Sequence, residues 1–451
     1  PAPVPDETGP REPASDEAPP GDAASPAPTS PLVALVRAPI EASVSVVIPT
    51  KNGEAEGVGR CLKALRTQAG LRQPPELVVV DSGSTDRTRE LAADAGARVM
   101  EIAPEDFDHG GTRNLGADHA RGDVILFTVQ DAVAASETLV ADLVAMLLED
   151  GDLAVVSARQ IPRADADHFA AWQLWHHYRV LGDETRLTSA AQAARLAELR
   201  GEGLWRAALV DDVCAAHRAD AFRALRYRPM RFGEDVDYGL RCLRAGRGLG
   251  FYADSGVIHS HRRSAAYQLR SHYVVRETLA PLLEPPDGAR FAAAGVRRFD
   301  DLRASGLDAY RRLARAASTL APDRPHDPRR ALATLATRLR ARDGAAPSPA
   351  EGDASLDALL PEVVNGVGSV DPGRASPLVR DAVADALEQL ALPFLAPCFE
   401  RMDGAEIAGF AYKTYGMVFG GALGDWSRSA PDAERAALEA LDERLVAGVV
   451  R

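Results

Sequence analysis

Lysine is almost absent from this chain. Of its 52 basic residues only Lys51, Lys63 and Lys413 are lysines, and the rest are arginines. With the abundant Ala and Gly, this reads as background composition and not as a site. Acidic residues number 65, and the net charge of −13 excludes a general nucleic-acid binder, which needs a basic face to displace counterions. Cysteine is scarce too. Cys61, Cys214, Cys242 and Cys398 are widely spaced and form no CxxC pair, which excludes a disulfide framework or a cysteine zinc site and points to a reducing compartment. No apolar run approaches the ~18 residues of a membrane-spanning helix. No secretory signal is visible, although the chain begins at Pro1 without a Met. What is present is 451 residues, 46% of them hydrophobic, enough for two or three domains with substantial cores.

Residues 1–40 are rich in Pro, Ala and acid and show no hydrophobic periodicity, so they are expected to form a disordered tail. From about Ser43 short β-branched runs alternate with helical patterns. Strands are expected at Val44–Ile48, Leu77–Val80, Arg98–Ile102, Val124–Val129 and Ala154–Ala158. Helices are expected near Gly57–Gln68, Arg87–Ala95, Thr112–Ala120 and Glu137–Leu148. Continuous apolar strands between amphipathic helices imply an α/β fold with a mostly parallel sheet covered on both faces, over residues 41–285. After Pro285-Pro286 the strands are expected to stop. Residues 286–451 read as an α-helical domain with a role in stability, oligomerisation or acceptor and membrane docking, broken by loops such as Asp343–Asp353. Its Arg297, Arg298, Arg303, Arg311, Arg312 and Arg315 suit either a solvated helix face or a surface turned to anionic lipid.

In an open parallel sheet ligands gather at the carboxyl ends of the strands. Three unusual segments fall there: Ile48-Pro49-Thr50-Lys51-Asn52-Gly53; Val80-Asp81-Ser82-Gly83-Ser84-Thr85-Asp86-Arg87-Thr88; and Phe107-Asp108-His109-Gly110-Gly111-Thr112-Arg113-Asn114-Leu115-Gly116. An Asp ending a buried strand can accept from a base N–H, and Ser82 and Gly83 let a ligand approach the backbone. Ser84, Thr85 or Asp86 equally suits a helix cap. Gly111 and Arg113 at a helix start suit an anionic ligand.

The ordered set IPTKN, VDSGSTDRT, FDHGGTRNLG, FTVQDA, FGEDVDYGLR and HSH resembles the inverting family 2 glycosyltransferases of GT-A fold. FDHGGTRN and QDA are similar to the rhamnosyltransferase-like branch that builds bacterial surface polysaccharides such as O-antigen. The resemblance spans roughly residues 43–285.

The resemblance implies that Asp81 binds the pyrimidine base, that Pro49, Thr50 and Asn52 lie along base and ribose, and that Ser82, Gly83, Gly111, Arg113, Gln130 and Asp131 line the nucleotide-sugar site. Relatives carry an Asp-x-Asp metal motif where this chain has Val129-Gln130-Asp131, so one carboxylate remains. A divalent cation, Mg²⁺ or Mn²⁺, would sit there with help from His259 or His261, which share one side of an extended segment. The alternative is that Arg113, Arg262 or Arg263 neutralises the diphosphate without metal. The resemblance makes Asp235 the general base, with Glu234 next in line; acids in a first helical turn also serve as ordinary caps.

The implied reaction is an inverting, metal-dependent hexosyl transfer from dTDP-rhamnose to a hydroxyl of a growing glycan. It places the enzyme in the cytoplasm, free or peripheral at the inner face of the plasma membrane. Whether the acceptor is lipid-linked and whether the chain dimerises stay open. A UDP- or GDP-sugar donor and a catalytically inactive nucleotide-sugar scaffold are the other readings. Trp172, Trp175, His176, His177 and Tyr178 suit an acceptor wall or an apolar helix face. Val213–His217 reads as a strand end beside the acceptor, with Cys214 as a small core residue.

Overall fold

The computed structural model describes residues 38–189, 195–284, 289–341, 352–364, 375–390, 401–447 and 449. Nearly all of the expected tail, Cys398, Pro285-Pro286 and most of the Asp343–Asp353 loop lie outside the described residues.

Nine strands form one sheet in the order β3-β2-β1-β4-β8-β6-β9-β5, with β7 also paired to β9. They are β1 Val44–Thr50, β2 Glu76–Asp81, β3 Arg98–Glu101, β4 Val124–Thr128, β5 Val133–Ala134, β6 Leu153–Ile161, β7 Arg186–Thr188, β8 Cys214–Arg218 and β9 Gly248–Ile258. β1, β2, β3, β4, β6 and β9 run one way, and β5, β7 and β8 run against them. This is the mostly parallel α/β sheet expected. Alternation along the strands splits the core in two. Val46 and Ile48 face one layer, under helices Val58–Arg66 and Leu139–Glu149. Val47 faces the other, under His109–His119, Ala219–Leu225 and Glu234–Arg244. Because β8 is antiparallel, its N-terminal end lies on the same edge as the C-terminal ends of β1, β2, β4 and β9, and that edge carries the chemistry.

Past β9 the chain is helical among the described residues, apart from a two-stranded pairing of Pro325–His326 with Met402–Asp403. Helix Ala265–Thr278, capped by the Ser264 hydroxyl, packs along the long helix Gly404–Ser429. Gly416, Gly420 and Gly424 of the long helix form the contact. A Cβ there would lie 2.3, 2.0 and 2.6 Å from the carbonyl oxygens of Ala265, Leu269 and Tyr273. Only a bare Cα lets the two backbones come so close. Gly420→Ala is therefore expected to destabilise the protein by about 1–3 kcal/mol or more, the usual cost of overpacking. Gly409→Ala in the same helix, where an added Cβ meets nothing within 4 Å, should be neutral or slightly stabilising. Chemical denaturation of both variants checks this.

Trp172 and Phe169, on helix His168–Leu181, are buried against Phe410, and Trp175 packs on the same core. The tryptophans thus take the core role and not that of an acceptor wall. Several arginines of the helical region pair locally: Arg298 and Arg303 with Asp300, and Arg312 with Asp308. Cys61, Cys214 and Cys242 are free and buried; burial pushes the Cys61 and Cys242 thiols up to about 12 and the Cys214 thiol higher still. They are inert core residues.

Candidate active site

The first two strand ends are tied into one network. Asp81, fully buried at the end of β2, accepts from Thr50 Oγ1 at 3.0 Å, from the Ser84 N–H at 2.8 Å and from the Ser84 hydroxyl. Ser82 donates through N–H and hydroxyl to the Thr50 carbonyl. Asn52, with a left-handed φ of 47°, donates its N–H to Ser84 Oγ and accepts from the Thr85 N–H, both at 2.8 Å. Pro49 lies in β1 beside Val80, and Gly83 turns the chain with φ 83° against Pro104. The expected base-and-ribose residues are thus brought together, with the Asp81 carboxylate already accepting one hydrogen bond from β1 and two from its own loop.

Gln130 and Gly111 are engaged differently from the expectation. Gln130 clasps the β1 loop: its Oε1 accepts from the Lys51 N–H at 2.8 Å, and its Nε2 donates to the Lys51 carbonyl at 3.1 Å and to Glu56 at 2.6 Å. Gly111 does start a helix, but its N–H is taken by Asp108 Oδ1 at 2.6 Å, so the helix is capped from within.

Asp131, His259 and His261 converge. One ligand atom from each lies within 4.8 Å of the others. His259 Nε2 is 3.5 Å from Asp131 Oδ1, and His261 Nε2 is 3.8 Å from Asp131 Oδ2. Both histidines follow β9, and Asp131 follows β4. His259 Nδ1 donates to Gln160 Oε1 at 2.8 Å. Gln160 in turn donates to Asp211 at 3.0 and 3.2 Å. That orientation of the amide puts a proton on His259 Nδ1 and turns Nε2 toward Asp131. Burial, then its neighbour His259, lower the His261 pKa to about 4, so its ring is neutral near pH 7. Burial works against the Asp131 charge, but the His259 hydrogen bond and the charges of His259, His261 and Arg163 outweigh it and hold this carboxyl below its ordinary range. A carboxylate and two imidazoles whose Nε2 atoms turn to one point fit a divalent cation. Arg163 Nη2 stands 3.1 Å from Asp131 Oδ2. Arg262 is turned to the Asp165 carbonyl, and Arg263 lies over the Tyr267 ring.

The third cluster surrounds Glu234 and Asp235, at the start of the helix that follows Gly233, a residue with φ 86°. Arg113 does not face outward to a diphosphate. It is 5% exposed, 3.3 Å from Glu234 Oε1 through Nη1 and 3.4 Å from Asp212 Oδ2 through Nε. Tyr227 donates its hydroxyl to Asp212, and Asn114 clamps the Tyr227 backbone through both its N–H and its carbonyl. The Gly-Gly-Thr-Arg-Asn segment thus holds the loop that leads into the Asp235 helix. Burial first, then Asp212 and Glu234, push the Asp235 pKa well above the usual carboxylate range. Burial and Glu234, partly offset by Arg113, raise Asp212 to about 7. His217 is a buried residue of central strand β8, ringed by Phe127, Phe222 and Tyr238, with burial lowering its pKa to about 3.

Sequence reasoning missed Gln160, Arg163, Asp211, Asp212 and Tyr227. Two signals were there: an acid pair, Asp211-Asp212, immediately before an apolar strand, and a Gln in the polar extension of the Ala154–Ala158 run.

Residues 45–193 match the family described as Glycosyl transferase family 2. The chain is 28% identical over 234 residues to the O-antigen chain rhamnosyltransferase WbaN of Salmonella anatum, covering 51% of this chain and 70% of that protein. It is 29% identical over 234 residues to RfbN of Salmonella typhimurium, also an O-antigen chain rhamnosyltransferase, with the same coverage. Among solved structures, the mannosyltransferase PcManGT from Pyrobaculum calidifontis, in complex with GDP-Man and Mn²⁺, is similar over 86% of this chain and 88% of that one, at 17% identity and a TM-score of 0.46. Residues 45–193 are thus similar to family 2 glycosyltransferases, and the chain resembles rhamnosyltransferases in sequence.

Proposed function

We propose that the protein is an inverting glycosyltransferase that moves L-rhamnose from dTDP-rhamnose to a hydroxyl of a growing surface glycan. The observation that carries the reading is the convergence, on one sheet edge, of a cation-fitting Asp131–His259–His261 set and a carboxylate of raised pKa at Asp235. Asp235 takes the proton from the acceptor hydroxyl as that oxygen attacks the anomeric carbon from the face opposite the diphosphate. A base poised near the working pH does this best. Glu234, fixed by Arg113, keeps the helix start in place. Asp131, His259 and His261 would hold a Mn²⁺ or Mg²⁺ ion, which supplies positive charge to the leaving diphosphate. Thr50, Asn52 and Asp81 shape the pocket for the pyrimidine nucleoside. In this reading Asp81 exchanges a contact with its own loop for one with the base. No described helix is long and apolar enough to cross a membrane, so work on a lipid-linked acceptor would be done from the membrane surface.

The test is a panel of dTDP-, UDP- and GDP-sugars with purified protein. Turnover of dTDP-rhamnose above the others is the expected result. Preference for a UDP- or GDP-sugar would reassign the donor, and binding without turnover of any donor would make the protein a scaffold. Asp81→Ala should weaken dTDP and the sugar donor alike, because the base contact is common to both. Unchanged dTDP affinity by calorimetry would remove Asp81 from the site.

A further inference from the structure

Two adjacent residues, Asp211 and Asp212, sit just before β8 and face opposite ways. The Asp211 carboxylate accepts from Gln160 Nε2 at 3.0 and 3.2 Å, from the Tyr178 hydroxyl at 2.7 Å and from the Val213 N–H at 3.1 Å. Gln160 passes that hold to His259 Nδ1 at 2.8 Å. Asp212 Oδ1 accepts from the Tyr227 hydroxyl, while Oδ2, without a hydrogen bond among the described residues, forms an ion pair with Arg113 Nε at 3.4 Å; Arg113 Nη1 in turn lies 3.3 Å from Glu234 Oε1. Asp211 and Asp212 are 6% and 5% exposed. A buried carboxylate is costly unless it is paired or hydrogen-bonded. Here the engagement runs to the cation histidine on one side and to the base helix on the other.

We propose that Asp211 and Asp212 are a pair of positioning residues, Asp211 orienting His259 through Gln160 and Asp212 orienting the Glu234-Asp235 turn through Arg113, so that one peptide unit fixes the spacing between the two halves of the site. This rests on the reading of Asp235 as base and of the histidine set as cation ligands. The tautomer argument supports the first arm. Gln160 cannot turn its amide over without aiming its oxygen at the Asp211 carboxylate, so it locks His259 with Nε2 available. Charge supports the second. Asp235 faces Asp211 and Asp212 from the loop before β8, Glu234 on its own helix, and Arg113 from helix His109–His119. Removing the Asp212 charge takes away a like charge and leaves Arg113 to act on the remaining carboxylates. Both effects favour ionised Asp235.

The experiment uses the full chain with Asp211→Asn and Asp212→Asn. Mn²⁺ binding in the presence of dTDP is followed by electron paramagnetic resonance, dTDP binding without metal by calorimetry, and transfer as a function of pH. Asp211→Asn is expected to weaken Mn²⁺ binding about 10- to 100-fold, the usual effect of losing an outer partner of a ligand, with dTDP affinity unchanged. Asp212→Asn is expected to leave Mn²⁺ binding unchanged and to move the acid limb of kcat to lower pH, by about one unit. If a variant does not fold, Gln160→Met carries the first arm, and Tyr227→Phe carries the second in the same direction. Wild-type Mn²⁺ affinity in Asp211→Asn, or an unmoved acid limb in Asp212→Asn, overturns the proposal. Absence of transfer by the wild type with every donor would instead overturn the proposed function. The Mn²⁺ arm needs no turnover and then decides the positioning role by itself.

Discussion

Asp235→Asn should cut transfer about 10²–10⁴-fold, the range for loss of a general base, while donor binding stays near wild type. The substitution keeps the size of the side chain and a carbonyl oxygen for the Val236 N–H, to which Asp235 Oδ1 now stands at 2.7 Å. What disappears is basicity. The pH profile gives an independent reading. Burial and the neighbouring Asp212 and Glu234 hold the Asp235 pKa high, and Asp212 itself is raised to about 7. A base works only when deprotonated, so activity should fall as pH drops through this cluster's range, well before ordinary surface carboxylates titrate. Stability has the opposite slope. A carboxyl whose pKa is raised on folding stabilises the native state below its unfolded pKa, and that contribution is lost as pH rises through the folded value. For Asp212 the loss falls between roughly pH 4 and 7. Near-wild-type turnover of Asp235→Asn would pass the role of base to Glu234.

Chelation should have an effect as large. EDTA is expected to abolish transfer, Asp131→Ala to do the same, and Mn²⁺ to restore only the wild type. Asp131 is the one carboxylate of the set, and without it two imidazoles remain to hold a dication. Imidazole nitrogens suit Mn²⁺ better than the oxygen-seeking Mg²⁺, so Mn²⁺ should reach half-maximal activation at the lower concentration. His259→Ala should raise the Mn²⁺ requirement more than His261→Ala, because only His259 has its second nitrogen fixed by a hydrogen bond, to Gln160. Full activity in EDTA would transfer the work of neutralisation to Arg163, the cation beside Asp131.

Strands and helices were legible where apolar residues had one period for long enough. β1, β2, β4 and β6 begin within a residue of where the pattern put them. The Asp131–His259–His261 and Glu234-Asp235 groups were legible through the family resemblance, and each lies at a strand or helix end on one edge of the sheet. The residues assigned otherwise were those whose partner is far along the chain. Arg113 read as an anion contact because nothing nearby competes for it. Its partner Glu234 is 121 positions away. Gln130 read as a lining residue of the nucleotide-sugar site, and its clasp on Lys51 spans 79 positions. Gln160 and Asp211, 51 positions apart, act only through one another, so neither stands out alone.

The glycine contact between helices Gly404–Ser429 and Ala265–Thr278 has a consequence for hydrogen exchange. Helix Ala265–Thr278 begins just past His261, and the long helix rests on it backbone to backbone. Local opening of the long helix would have to break this contact and loosen the anchorage of the histidines. A ligand held by those histidines binds the closed form alone and shifts the balance toward it by mass action. Amides of Phe410 to Leu423, none of them part of the candidate active site, should therefore exchange more slowly when dTDP and Mn²⁺ are bound.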